Sequence, residues 1–347
     1  MNKIALFFLL TLIHLSACQE EKVGEAFFAA KQGEKWGYID QRGNWVIQPQ
    51  FEKALGFSEG LALIMEDEQW GYIDKTGKTV IKPQFVQADT FSEGLARVEC
   101  YGEGCGFIDK NGELVIKPQF DYAENFSEGL ALIGVADEYG RIDKWGYIDK
   151  TGKIVIEPQF EQAEDFSEGL APILLEERRC FIDQTGKVVI APKFSLESFF
   201  KFKEGLSKII IRNKNGFIDK TGEIAIKPQF DYAGSFSEGL AAISINGKDG
   251  FIDKTGKIVI EPQFDLGNEH KFSEGLSVII EDRKKYGFID KTGKVVIKPQ
   301  FDYACPFSGG LSIIKLDGKY GVIDKTGKMV VKAKFDGIAI VSSMFGW

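Results

Sequence analysis

The chain runs to 347 residues, 44% hydrophobic and 27% charged, with a formal net charge of −8 at neutral pH. Its lysines alternate with Asp and Glu rather than clustering, so there is no basic patch to neutralise a phosphate backbone, and nucleic acid is excluded as a partner. A stock of 39 Gly and 29 Phe suits an all-β chain of turns and packed rings.

In chain order, the first element is a short positive start, Met1-Asn2-Lys3, followed by an apolar run from Ile4 to Leu15 broken by Thr11 and His14. A membrane-spanning helix needs about 20 apolar residues, so this run is too short to span and suits a signal peptide. It ends in Leu15-Ser16-Ala17-Cys18, which resembles a bacterial lipobox. That resemblance implies a signal peptide over residues 1–17, a lipidated Cys18 at the mature N-terminus and a short tether over 18–23. A plain secretory peptide with a chance cysteine is the alternative. Acyl chains supply about 0.8 kcal/mol per buried methylene, so two or three of them hold a protein at a membrane durably. Gln19 follows the cysteine where an inner-membrane signal would place Asp, so the resemblance implies the outer membrane, with the side left open.

From about residue 24 to 347 a single motif recurs. Its G-[YF]-I-D glycine falls at Gly37, Gly71, Gly106, Gly146, Gly216, Gly250, Gly287 and Gly321, and Cys180 holds the same slot, giving nine units spaced 34–40 residues apart. Each unit predicts three strands. The first is G-[YF]-I-D. A D-K-T-G turn follows, with Asp accepting backbone N–H bonds and Gly supplying the left-handed conformation. The second strand, K-x-V-I-K, stops at a proline that cannot donate to a continuing ladder (Pro49 in the first unit, Ala333 in the last). After P-Q-F, an F-S-E-G turn leads into the third strand, L-A-x-I.

Pairs such as Val80/Ile81 and the run Leu61-Ala62-Leu63-Ile64 are apolar on both strand faces, which predicts that both faces are covered. The predicted fold is therefore all-β: a tandem array of about nine three-stranded antiparallel units stacked face to face. A propeller-like ring and an open β-solenoid both satisfy the pattern. Glu25 to Ala30 reads as a degraded third strand and Phe335 to Ile340 as a shortened finish, so the array starts in mid-unit.

The segments Lys35-Trp36-Gly37-Tyr38-Ile39-Asp40, Gln69-Trp70-Gly71-Tyr72-Ile73-Asp74 and Lys144-Trp145-Gly146-Tyr147-Ile148-Asp149, with the F-S-E-G-L-A and P-Q-F segments, resemble the bacterial WG (KWG) repeat. The resemblance implies tandem β-structure, usually on secreted or surface-tethered proteins, with no established enzymatic activity and no agreed ligand, and no cofactor is expected. The chain departs from it at the Trp slot, which holds Cys105, Arg179, Asn215, Asp249, Tyr286 and Tyr320 in the other units.

Catalytic chemistry finds little footing. Of the two histidines, His14 belongs to the signal segment and His270 to a charged insertion that reads as a solvated loop. There is no H-E-x-x-H, paired C-x-x-C or phosphate-binding glycine loop, so neither metal nor nucleotide is expected. The Asp of G-[YF]-I-D and the Glu of F-S-E-G recur from unit to unit, whereas acid–base catalysis needs one constellation with separated pKa values. An Asp/Glu glycoside hydrolase is the remaining catalytic alternative.

Cys100 and Cys105 flank a four-residue tip, Tyr101 to Gly104, and predict a local disulfide, with two free thiols as the alternative. The state of Cys180 and Cys305 is open. The aromatic that follows the signature slot in eight of the nine units is expected to pack between units, while Trp36, Trp70 and Trp145 are open to packing or exposure. The candidate binding residues are those that break the pattern: Trp36, Trp70, Trp145, Arg179, and Tyr139 in the insertion over 137–141. The expected function is a non-catalytic, lipid-anchored envelope scaffold for a protein or glycan partner. A dedicated cell-wall carbohydrate module is the alternative.

Overall fold

The computed structural model describes residues 27–100, 104–194, 197–266, 271–282 and 284–339. The signal segment, Cys18, the tether and His270 lie outside the described residues.

The described residues form nine antiparallel sheets of four strands each. They are numbered here as blades 1 to 9 in the order of their signature slots, Gly37 to Gly321. Blade 2 is representative, with strands at Lys53–Ser58, Leu61–Glu66, Gln69–Asp74 and Thr79–Phe85 paired in sequence order. The three strands expected from the repeat are thus the second, third and fourth of each blade. The additional first strand precedes the F-S-E-G turn and is usually brief: in blade 4 it is Tyr122–Ala123, joined by a bridge from Ser127 to Leu130.

Blade 1 takes its first strand from the far end of the chain. Gly337–Ala339 pairs with Phe28–Gln32 through Ala29↔Ala339, Ala30↔Ile338 and Lys31↔Gly337. This pairing closes the array into a ring, a nine-bladed propeller rather than an open spiral.

The turns follow the local chemistry. Asp74 Oδ1 accepts the N–H groups of Thr76 and Lys78 at 2.9 and 3.1 Å and the Thr76 hydroxyl at 2.6 Å, while Gly77 closes the turn at φ +86°. At F-S-E-G both central residues are left-handed, Glu93 at φ +53° and Gly94 at +90°, which is the hairpin turn that matches strand twist.

A core fills each blade junction. The one between blades 2 and 3 joins Leu63, Tyr72, Ile81 and Phe85 to Phe91, Ala96, Val98 and Ile108. The one between blades 9 and 1 joins Ile313, Val322, Val331 and Phe335 to Ala30 and Ile39. The aromatic after the signature glycine is buried as expected. The Tyr38, Tyr72 and Tyr147 hydroxyls donate to the Leu55, Asp89 and Glu164 carbonyls of the following blade at 2.8, 2.7 and 2.7 Å.

Two expectations fail in part: the strand expected to stop at proline runs through Pro83 to Phe85, and the apolar faces are not all covered. The second strand, Leu61 to Ile64, is buried throughout, but in the fourth strand Val80 is 39% exposed beside Ile81 at 3%. Blades radiating from a common axis spread apart toward the rim, so the rim strand is covered on one face only.

The signature glycine answers to a close approach. A Cβ on Gly71 would sit 2.5 Å from the Pro83 backbone nitrogen, because the fourth strand crosses directly over the third. The same crossing recurs over Gly37, Gly106, Gly146, Gly216, Gly250, Gly287 and Gly321.

Candidate functional site

The repeated carboxylates are held in fixed structural roles. Hydrogen bonds from Thr76, first its hydroxyl and then its N–H, keep the Asp74 carboxyl below the usual carboxylate range, and the equivalent aspartates behave alike. The F-S-E-G glutamates instead bridge blades. Glu93 accepts the N–H of Gly129 in the next blade at 3.0 Å and pairs with Lys150, from that blade's D-K-T-G turn, at 3.1 Å. Lys110–Glu59, Lys220–Glu168, Lys254–Glu204, Lys291–Glu238 and Lys325–Glu274 repeat the latch at 3.0–3.2 Å. Partial burial pushes the Glu59 carboxyl up, but Lys110 and the Gly94 N–H outweigh it and hold it below its ordinary value.

The sequence candidates separate. Trp70 is 6% exposed in the core between blades 2 and 3, with the Lys53 ammonium 5.9 Å from its ring centroid. Trp36 is half-buried against Gly337 of the ring-closing strand. Tyr139 stands 75% exposed at the tip of the blade 4 hairpin, its ring 5.3 Å from the Arg141 guanidinium, which Asp137 holds at 2.8 Å.

The proposed Cys100–Cys105 bridge is corrected. The ladder pairs Cys100 with Gly104 and Cys105 with Glu99, one step out of register for a facing pair, and Cys105 is a buried free thiol 3.5 Å from Arg97. Cys180 is a buried free thiol as well.

Trp145 and Arg179 are the two candidates that come together. Blade 5 is the blade whose signature slot carries a side chain, Cys180, and its fourth strand stops at Val188–Ile190 where the other fourth strands run seven residues. A Cβ at this slot blocks the crossing that every glycine slot allows, so the chain leaves the sheet at Ala191. The Arg179↔Phe194 pairing, which Trp145↔Phe160 makes in blade 4, is therefore missing from the ladder.

A groove of about 290 Å³ results, lined by Trp145, Gln162, Glu164, Pro172, Arg179 and Ser198 from blades 4, 5 and 6. The Tyr122 ring meets Trp145 edge-on at 5.4 Å, and Gly134, directly across the ladder, leaves room for the indole. Arg179 Nη1 lies 3.5 Å from Gln162 Oε1. Burial raises the Glu164 carboxyl above its usual range, against the opposing pull of Lys201.

Behind Glu164, Asp165 binds Lys201 at 2.7 Å across the junction to blade 6. Burial, then the neighbouring Asp165, pushes the Glu124 carboxyl up to about 7. A second cavity of about 520 Å³ lies between blades 7 and 8, lined by Lys248, Phe264, Asp265 and Glu281, and none of the sequence candidates line it. Gln162, Glu164 and Ser198 are not singled out by sequence reasoning. The available signal was Cys180 in a glycine slot next to Arg179 in a tryptophan slot.

The closed ring of sheets, latched blade to blade by recurring side chains, defines a β-propeller built from tandem sequence repeats. Within that class the chain belongs to the WG containing repeat family, which matches at residues 36–70, 70–103, 106–139, 145–177, 181–214, 216–248, 250–284, 286–320 and 320–343. No curated protein matches it. Among solved structures it is similar to a eukaryotic initiation factor, at 13% identity over 91% of this chain and 97% of that one, with a TM-score of 0.62. It is also similar to a computationally designed protein, at 10% identity over 87% of this chain and 100% of that one, with a TM-score of 0.50. At such identities the likeness shows the fold alone.

Proposed function

We propose that this chain is a non-catalytic binding scaffold of the cell envelope, anchored through lipid on Cys18, that engages a protein or glycan partner at the groove beside blade 5. The observation that carries the reading is convergence. Most blade junctions repeat one core and one latch, while Cys180, Arg179, the shortened rim strand and Trp145 meet at a single place. The groove is lined by one carboxylate, Glu164, whereas a glycoside hydrolase places two about 5–9.5 Å apart.

The site is tested by affinity capture from a detergent extract of the native envelope, comparing the wild-type chain with a Gln162→Ala/Arg179→Ala variant. The reading expects a captured species that the variant loses by about fivefold or more. Equal capture by both chains, or none by either, overturns it. The anchor is tested separately by detergent-phase partition of the full chain, which Cys18→Ser should move to the aqueous phase. An unchanged partition would remove the lipid anchor from the reading.

A further inference from the structure

Resting on the groove reading above, we propose that the groove binds a neutral saccharide, with the carbon face of one sugar ring stacked on Trp145 and its adjacent hydroxyls shared among Gln162, Glu164 and Arg179. Four observations point to this chemistry.

The first is size. About 290 Å³ lies at the lower end of ligand pockets, which run from about 300 to 1,000 Å³. It suits a small rigid unit better than a protein face, which covers about 800 Å² on each partner.

The second is charge. Arg179 and Glu164 place opposite charges in one groove, and behind them Asp165 is already paired with Lys201, so the charges there balance. An anionic ligand meets Glu164, and a cationic one meets Arg179, so a neutral ligand faces the smallest electrostatic cost.

The third is the hydrogen-bonding set. Guanidinium only donates, an ionised carboxylate only accepts, and the Gln162 amide does both. Neighbouring sugar hydroxyls each donate and accept, so they can use all three groups at once.

The fourth is preorganisation. Tyr122 packs edge-on against the Trp145 indole, and bare Gly134 leaves it the room it occupies, so little side-chain freedom is lost on stacking. Half-buried Leu174 adds an apolar flank beside it.

The test uses the mature chain carrying Cys18→Ser, with a glycan array of neutral and anionic oligosaccharides followed by calorimetric titration of the best neutral binder. The proposal expects at least one neutral saccharide to bind, and Trp145→Ala and Gln162→Ala each to weaken it by about tenfold or more. Gln162 is exposed, so its truncation should leave the melting temperature unchanged and keeps the test sound if the Trp145 variant folds poorly. No neutral binder, binding of acidic glycans alone, or affinity indifferent to both substitutions overturns the saccharide assignment. Should that happen while capture from the envelope still depends on the groove, the scaffold reading stands and only the ligand class falls. Capture indifferent to the groove removes the scaffold reading itself.

Discussion

Glu93 shows how a single residue can be chosen against its own local preference. At φ +53° a glutamate occupies a conformation that Asn or Gly would adopt more cheaply, at a cost of about 1–2 kcal/mol. Its carboxylate offsets that cost by accepting the Gly129 N–H and pairing with Lys150, both in the next blade. The recurring Glu is thus selected by the junction, whereas the recurring Asp is selected by its own turn. Glu93→Ala should lower unfolding stability by about 1–2 kcal/mol, and Glu93→Asn by less, since Asn regains the turn while losing the latch. Urea melts giving a larger loss for Asn than for Ala would reverse that assignment.

The same carboxyls predict two opposite limbs of pH dependence. Glu59, Glu168, Glu238 and Glu274 are held below their ordinary value, so they bind protons less readily folded than unfolded. Their contribution is complete above the unfolded carboxylate range of about 4 and is lost as pH falls through the lower folded values. Glu124 works the other way. Raised from 4.5 to about 7, its contribution is complete below 4.5 and is lost as pH rises toward 7. Glu124→Gln should therefore flatten the decline in melting temperature between about pH 4.5 and 7 and leave the acid limb in place. A decline of unchanged slope would detach Glu124 from that limb.

At the scale of the strand, the decisive variable is whether a Cβ stands beneath the crossing. Blade 5 carries a Cβ there, and with it go the end of a rim strand, a ladder pair and the closure of a surface. Cys180→Gly should let the fourth strand run on through Pro192 to Phe194, slow amide exchange at Lys193 and Phe194, and raise the melting temperature while narrowing the groove. The converse change, Gly71→Ala, meets backbone 2.5 Å away and should cost about 2–4 kcal/mol. If Cys180→Gly leaves amide exchange at those two residues unaltered, the cysteine is not what ends the strand.

This scale also marks the limit of what the sequence discloses. The second and third strands and the D-K-T-G turn are legible because each obeys a local rule. The first strand is hidden because Tyr122–Ala123 makes two ladder pairs and then waits for Ser127 to bridge Leu130, too short a pattern to show a period. The exposed face of Val80 is hidden because divergence of the blades is a property of the ring. The groove was half visible: Arg179 and Trp145 broke the repeat, while Gln162 and Glu164 sit at ordinary repeat positions.

The ring as a whole depends on how its ends meet. Elsewhere, successive blades are joined by covalent continuity and, at most junctions, by a Glu–Lys latch. Between blades 9 and 1 the latch positions hold Gly309 and Gln41 instead. Closure there falls to the pairing of Gly337–Ala339 with Phe28–Gln32, to the core around Val331 and Ile39, and to Asp336, which accepts the Gly33 N–H at 2.8 Å and pairs with Lys319. The mid-unit start at Phe28 is what makes this closure achievable, because a blade shared by both ends couples the last repeat to the first. Removing residues 336–347 would strip blade 1 of its first strand and leave the outer edge of Phe28–Gln32, opposite its ladder to Lys35–Ile39, unpaired. An uncovered strand edge recruits another strand, and a second copy of the chain offers many of the right shape. The truncated protein should therefore melt several degrees lower and elute as dimers or larger species in light-scattering chromatography. A truncated chain that stays monomeric with an unchanged melt would show that the core around Val331 closes the ring by itself.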